Sequence, residues 1–159
     1  FKSVTFCWMQ GERDANGGGQ PAYKDALKLL ITKLRRDLER PDMNIVIGRL
    51  SDAGQKKESW GAMRKIQMEI VNEDPSGAWV DCDDLNDKMK DGKTQNAVHY
   101  ERPEGYITLG RRFARQGYAL IKGKKPAEDG RPGHREPKER EKKEGSKARE
   151  DKSTPRNGK

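Results

Sequence analysis

The chain has 159 residues, a length that suits one domain of roughly 100–200 residues, and carries 31% hydrophobic residues, 38% charged residues and a net charge of +8. Globular chains ordinarily hold about 45–50% apolar and about 25% charged residues, so the whole chain is too polar to fold compactly. No run approaches the roughly 18 apolar residues of a membrane-crossing helix, and two cysteines with two histidines exclude a disulfide framework, a Cys-rich zinc site and a multi-histidine metal centre.

Val4 to Met9 is a short continuous apolar run, predicting a strand buried on both faces. It stops abruptly at Gln10-Gly11-Glu12-Arg13-Asp14, and Asn16-Gly17-Gly18-Gly19 reads as a flexible connector, because the run lacks the Lys-Ser/Thr of a phosphate-binding loop. Tyr23, Ala26, Leu27, Leu30, Ile31, Leu34 and Leu38 recur at spacings of three and four, one apolar stripe on a helix that ends before Pro41. Asn44 to Leu50 is a second buried strand, ending in Ser51-Asp52. Trp60, Met63, Ile66 and Ile70 mark a second amphipathic helix with Ser59 as its expected N-cap. Ala78-Trp79-Val80 is a third strand, running into Asp81-Cys82-Asp83-Asp84. After a polar loop and His99, a last helix opened by Pro103 carries Tyr106, Leu109, Phe113 and Leu120. Cys7 and Cys82 both lie in apolar runs, which predicts buried free thiols.

Buried strands alternating with helices imply an α/β fold: a parallel sheet with right-handed crossovers and helices on both faces. In such sheets ligands bind beyond the carboxyl ends of the strands. Those ends carry Gln10 and Glu12, Ser51 and Asp52, and Asp81 to Asp84, so the functional face is expected there. Three strands are few for this architecture, and a Val4–Met9 edge would leave an apolar flank uncovered. Together with a start at Phe1 rather than Met, this leads to the expectation that the amino-terminal half of the domain is missing. Residues 1–123 hold nearly all the apolar side chains and form the expected domain. Residues 124–159 contain 13 Lys/Arg and 8 Asp/Glu but no Val, Ile, Leu, Met, Phe, Trp, Tyr or Cys. Such a tail cannot offset its ordering entropy and should be disordered. It has no aromatic residue among its charges, and eight acids dilute its field, so it is a weak nucleic-acid signal; contact with a polyanion is its sharper reading.

Three groups of residues have chemistry to offer. A glutamine at the end of a buried strand, Gln10, presents a carboxamide N–H that can stabilise an oxyanion. Gly11 lets backbone pass close to a ligand, and Glu12 can orient an imidazole and stabilise its protonated form. The competing reading makes all three ordinary turn residues. His99 is the one histidine outside the tail and has the unperturbed pKa of a general base; the bland alternative is a surface histidine at a helix entry. The run Asp81 to Asp87 offers oxygen ligands for Ca²⁺ but lacks the Gly and twelfth-position Glu of an EF-hand, so it reads as a capped loop in which Asp83 or Asp84 satisfies local N–H groups.

These pieces resemble a known family. Phe6-Cys7-Trp8-Met9-Gln10-Gly11-Glu12-Arg13-Asp14-Ala15 is similar to the W-x-Q-G-E-S-D-A block of the sialate O-acetylesterase-like carbohydrate esterases, in the SGNH hydrolase superfamily. Val46 to Ser51, Trp60 to Gln67 (W-x-x-x-R-x-x-Q), Ala78 to Asp81 with Asp83-Asp84-Leu85, and His99-Tyr100 with Glu104 to Tyr106 and Leu109 to Ala114 are similar to its later blocks, in order, over residues 4 to about 121. The resemblance implies a three-layer α/β/α, flavodoxin-like hydrolase that removes acetyl groups from sugars or glycans without metal or organic cofactor, outside the cell or in the periplasm.

Carried over residue by residue, Gln10 is the oxyanion donor, Gly11 a backbone neighbour of the site and His99 the general base. Many superfamily members place the orienting acid three residues before the histidine. Here that residue is Asn96, followed by Ala97, and neither carries a charge, which shifts the acid role toward Glu12. Arg13 stands where the family has Ser; Arg13 and Asp14 are the candidate substrate contacts. The family's nucleophilic serine lies upstream in a G-Q-S-N-like block, and Ser3, Ser51, Ser59 and Ser76 match it neither in position nor in neighbours. No nucleophile is therefore assigned in this chain, and catalysis is expected of a longer parent protein. The alternatives are a noncatalytic carbohydrate-binding or scaffold protein of the same fold, and a basic module acting through its tail.

Overall fold

A computed structural model describes residues 1–54, 56–85, 89–91, 93–94 and 98–127. The charged tail from residue 128 onward lies outside them. Three strands, β1 (Thr5–Trp8), β2 (Asn44–Gly48) and β3 (Gly77–Val80), form a parallel sheet in the order β1-β2-β3. The register pairs Cys7 with Val46 and Val46 with Ala78. Between them run α1 (Glu12–Gly17), α2 (Gln20–Asp37) and α3 (Glu58–Asn72). A two-residue-per-strand hairpin, β4 (Met89–Lys90) and β5 (Lys93–Thr94), precedes α4 (Pro103–Ile121). No described helix is long and apolar enough to cross a membrane.

The period-two geometry of β2 divides the core. Ile45 and Ile47 point to one face, where they pack with Tyr23, Leu27 and Ile31 of α2 and with Trp60, Met63 and Ile70 of α3. Val46 points to the other, where Ala78, Val80, Cys82, Tyr100 and Leu109 of α4 enclose it. All five residues of β2 are buried, as a central strand covered on both faces requires. The expected three-layer α/β/α arrangement is therefore present.

Several local readings are corrected by the packing. β1 is an edge strand of this sheet, and only its Phe6 and Trp8 face reaches the first cluster. Cys7, on the opposite face, is exposed, because α4 lies over β2 and β3 and touches β1 only near its start, where Gly117 approaches Thr5. Cys82 is buried as expected. Asn16 and Gly17 belong to α1, and Gly18 and Gly19 cap the two adjoining helices, so the expected connector is mostly helix end. Lys57 is the N-cap of α3, without a side-chain cap bond, and Ser59 lies already inside the first turn. Leu38 and Tyr106, assigned to apolar stripes, are 52% and 48% exposed, lying at a helix end and on the outer side of α4.

At the amino end of the sheet, Arg35 near the close of α2 joins three segments. It donates two bonds to Asp74 at 2.7 and 3.0 Å and two to the Met43 carbonyl. This fork-to-carboxylate geometry fixes the crossovers at the end of the sheet opposite the candidate site.

Candidate functional site

The carboxyl ends of β1, β2 and β3 meet on one rim, each followed by a tight turn. After β1, the chain passes through Gln10 into Gly11, which caps α1 at φ +145°, a conformation in which a side chain would be strained. The Gln10 carbonyl faces inward. It accepts a hydrogen bond from the Tyr23 hydroxyl at 2.8 Å and another from Gln67 Nε2 at 2.9 Å. The Gln10 carboxamide Nε2 donates to Asp14 Oδ2 at 3.2 Å, and the Gly11 N–H donates to Glu12 Oε2 at 3.0 Å. Because a carboxamide nitrogen carries two hydrogens, the Asp14 contact orients Gln10 while engaging one N–H. Burial raises the Tyr23 hydroxyl pKa, so it stays a neutral donor.

The turn after β2 is held by one face of α3. Trp60, Arg64 and Gln67 follow at i, i+4 and i+7, the spacing of one helical stripe. Trp60 Nε1 donates to the Ser51 carbonyl at 2.7 Å, Arg64 Nη1 donates to the Leu50 carbonyl at 2.6 Å, and the Leu50 N–H donates to Gln67 Oε1 at 2.9 Å. The resemblance had pointed at these three residues without giving them a task. Their shared task is to satisfy the backbone of a strand end that has left the sheet.

The turn after β3 is held by charge. Asp81 accepts from Arg49 at 2.8 Å, Asp83 takes both Nη atoms of Arg64 and one of Arg49, and Asp84 takes both Nη atoms of Arg112 at 2.7 Å. Within the turn, Asp81 Oδ1 accepts the Asp83 N–H, a local cap of the kind expected here, and Asp83 and Asp84 also bind the arginines. Among the described residues no group of three acids, cysteines or histidines has the geometry of a metal site. The Arg49 guanidinium also lies 4.7 Å over the Trp79 ring.

His99 arrives on a segment that spans the two core clusters. Val98 packs against the cluster under α2 and α3, and Tyr100 is buried in the cluster under α4. His99 stands between them with its side chain exposed. Tyr100 is seated because Gly105 is a glycine: a Cβ there would come within 2.9 Å of the Tyr100 ring. Burial pushes the Tyr100 hydroxyl pKa strongly upward and the Cys82 thiol up to about 11. Among the described residues no hydrogen bond joins Glu12 to His99; Glu12 caps the Gly11 amide instead. Arg13 is exposed and Asp14 half-buried beside Gln10. Asn96 and Ala97 lie outside the described residues.

Beside Gln10 and Asp14 opens a cavity of about 290 Å³, lined by Trp8, Ala22, Tyr23, Ala26 and Leu30 between β1 and α2. Comparison with known proteins gives no match among curated proteins and none among solved structures. The family described as "Carbohydrate esterase, sialic acid-specific acetylesterase" does match, over residues 3–119, from before β1 almost to the end of α4. That span takes in all three rim turns and His99, and the chain belongs to this family of carbohydrate esterases.

Proposed function

We propose that residues 1–123 carry the oxyanion donor and the general base of a serine-type esterase that removes acetyl groups from sugars. The observation that supports this most directly is the Gln10 turn: a carboxamide held at the rim by Asp14, on a backbone fixed from below by Tyr23 and Gln67. In the proposed reaction a serine hydroxyl attacks the acetyl carbonyl while the His99 imidazole takes its proton. The tetrahedral oxyanion accepts an N–H from Gln10. Collapse expels the sugar hydroxyl, protonated by His99, and water then repeats the sequence on the acetyl-enzyme. Glu12 is the proposed orienting acid, and its carboxylate would have to turn from the Gly11 amide to His99. Arg13 and Asp14 are the proposed substrate contacts. No serine of this chain is assigned as the nucleophile.

The test is acetate release from O-acetylated sugars by the product of the complete reading frame. His99→Ala should lower kcat by about 10²–10⁴-fold, the usual range for a general base. Gln10→Leu should lower it by about 10²–10³-fold, the range for one oxyanion donor. Undiminished hydrolysis in His99→Ala overturns the assignment. A second reading is favoured by the mismatch of Ser3, Ser51, Ser59 and Ser76 to the family's serine block: a carbohydrate-binding protein of the same fold. It predicts sugar binding without acetate release.

A further inference from the structure

We propose that Gln67 is a positioning residue, whose buried carboxamide locks the Gln10–Gly11 turn to the Leu50–Ser51 turn and thereby sets where the Gln10 side chain stands. The proposal rests on Gln10 as the oxyanion donor and adds what holds it. Gln67 is 0% exposed, the polar member of the buried set of α3, whose other residues are Trp60, Met63, Ile70 and Val71. An apolar side chain would fill that space without the cost of desolvating an amide. What the amide contributes is bonding to two strand ends. Its oxygen accepts the Leu50 N–H after β2, and its nitrogen donates to the Gln10 carbonyl after β1. The same nitrogen lies 3.4 Å from the Tyr23 hydroxyl, which also donates to Gln10 and accepts from the Trp8 indole at 3.1 Å.

The geometry of the peptide unit carries the effect outward. The Gln10 C=O and the Gly11 N–H share one planar trans peptide and point in opposite directions. Pinning the carbonyl inward therefore aims the Gly11 N–H away from Gln67, toward Glu12. Gly11 is required by its φ of +145°, and a Cβ there would also crowd Gln67 Nε2 at 3.1 Å.

The test uses the ¹⁵N-labelled full chain. Gln67→Glu keeps an acceptor for Leu50 but turns the donor to Gln10 into a carboxylate, which repels the carbonyl until it is protonated. The titratable and charged groups around it are Tyr23 from α2, Glu12 and Asp14 from α1, and Arg64 one turn earlier on α3. In Gln67→Glu the Gly11 amide and Trp8 indole signals should show one titration step additional to those of the wild type, above the ordinary glutamate range because the site is buried. At neutral pH the Gly11 amide should exchange about tenfold faster, the loss of roughly one hydrogen bond, with Leu50 protection retained. Gln67→Met fills the same space without either bond and should shift Gln10, Gly11 and Leu50 together, whereas Tyr23→Phe removes the other donor and should shift Gln10 and Gly11 with Leu50 unchanged; if Gln67→Glu does not fold, Gln67→Met decides. Gly11 and Trp8 signals that match the wild type overturn the positioning role, whatever the enzyme assay shows. Hydrolysis undiminished in Gln10→Leu overturns the oxyanion-donor reading and leaves these signals as they are.

Discussion

The turns after β1 and β3 sit on the same rim, two strands apart, and are held by opposite means. The Gln10 turn rests on neutral donors, Tyr23 and Gln67, acting on one carbonyl. The Asp81–Leu85 turn rests on three arginines, Arg49 just after β2, Arg64 of α3 and Arg112 of α4, that reach three carboxylates. Those neutral donors fix the backbone of the turn, while the carboxylates of Asp14 and Glu12 engage the Gln10 side chain and the Gly11 amide. The ionic clamp adds strength where the chain must leave β3 and turn toward the polar loop and His99. Leu50 lies between the two systems: Gln67 takes its N–H and Arg64 its C=O.

Breaking the clamp should have the largest effect. Arg64→Met leaves the Leu50 carbonyl without that donor and Asp83 with Arg49, and should cost about 3 kcal/mol in urea unfolding, the upper end for losing hydrogen bonds to a charged group. A loss below about 0.5 kcal/mol would show that the clamp does not hold this turn.

The Cys82 thiol, under the same turn, makes the clamp side sensitive to alkali. Its pKa rises from the ordinary value near 9 in the unfolded chain to about 11 in the folded one. The neutral thiol's contribution is complete below pH 9 and is lost as pH rises through 11, because only the unfolded state releases the proton in that window. Two units correspond to at most about 2.7 kcal/mol. Tyr100, shifted the same way by burial, extends the loss to higher pH. Cys82→Ala should flatten the fall between pH 9 and 11; an unchanged slope would assign it elsewhere.

Gly105→Ala sharpens the comparison at His99. The added methyl meets the Tyr100 ring and should cost about 2 kcal/mol as overpacking. His99 amide and ring signals should shift, with Gln10 and Gly11 unmoved. The smallest effect is expected far from the rim. Lys24 and Lys28 pair with Glu73 at 2.6 and 3.0 Å, but Glu73 is 46% exposed. Glu73→Gln should leave no measurable change in stability at high salt.

The order of β1, α2, β2, α3, β3 and α4 and the location of the rim were legible in residue order, because periods of 2 and 3.6 are local geometry; the six-residue α1, expected as a polar stop and connector, and the β4–β5 hairpin, expected as a polar loop, are too short to show a period. Gln10 and His99 could be singled out as candidates by the same reading, one ending an apolar run and the other being the lone histidine ahead of the charged tail. Cys7 could not be placed, because its apolar run says nothing of how far α4 extends across β1. Gln67 and Arg64 carried a motif but no role, since their partners lie 57 and 19 residues away in sequence. Hydrogen-bond partners of that separation are chosen by how α3 crosses the sheet. Local pattern therefore determined which segments are strands and helices and where a site can open; only tertiary packing decided which amide, hydroxyl and guanidinium hold that site in shape, because those choices are made between segments that meet only once the sheet has formed.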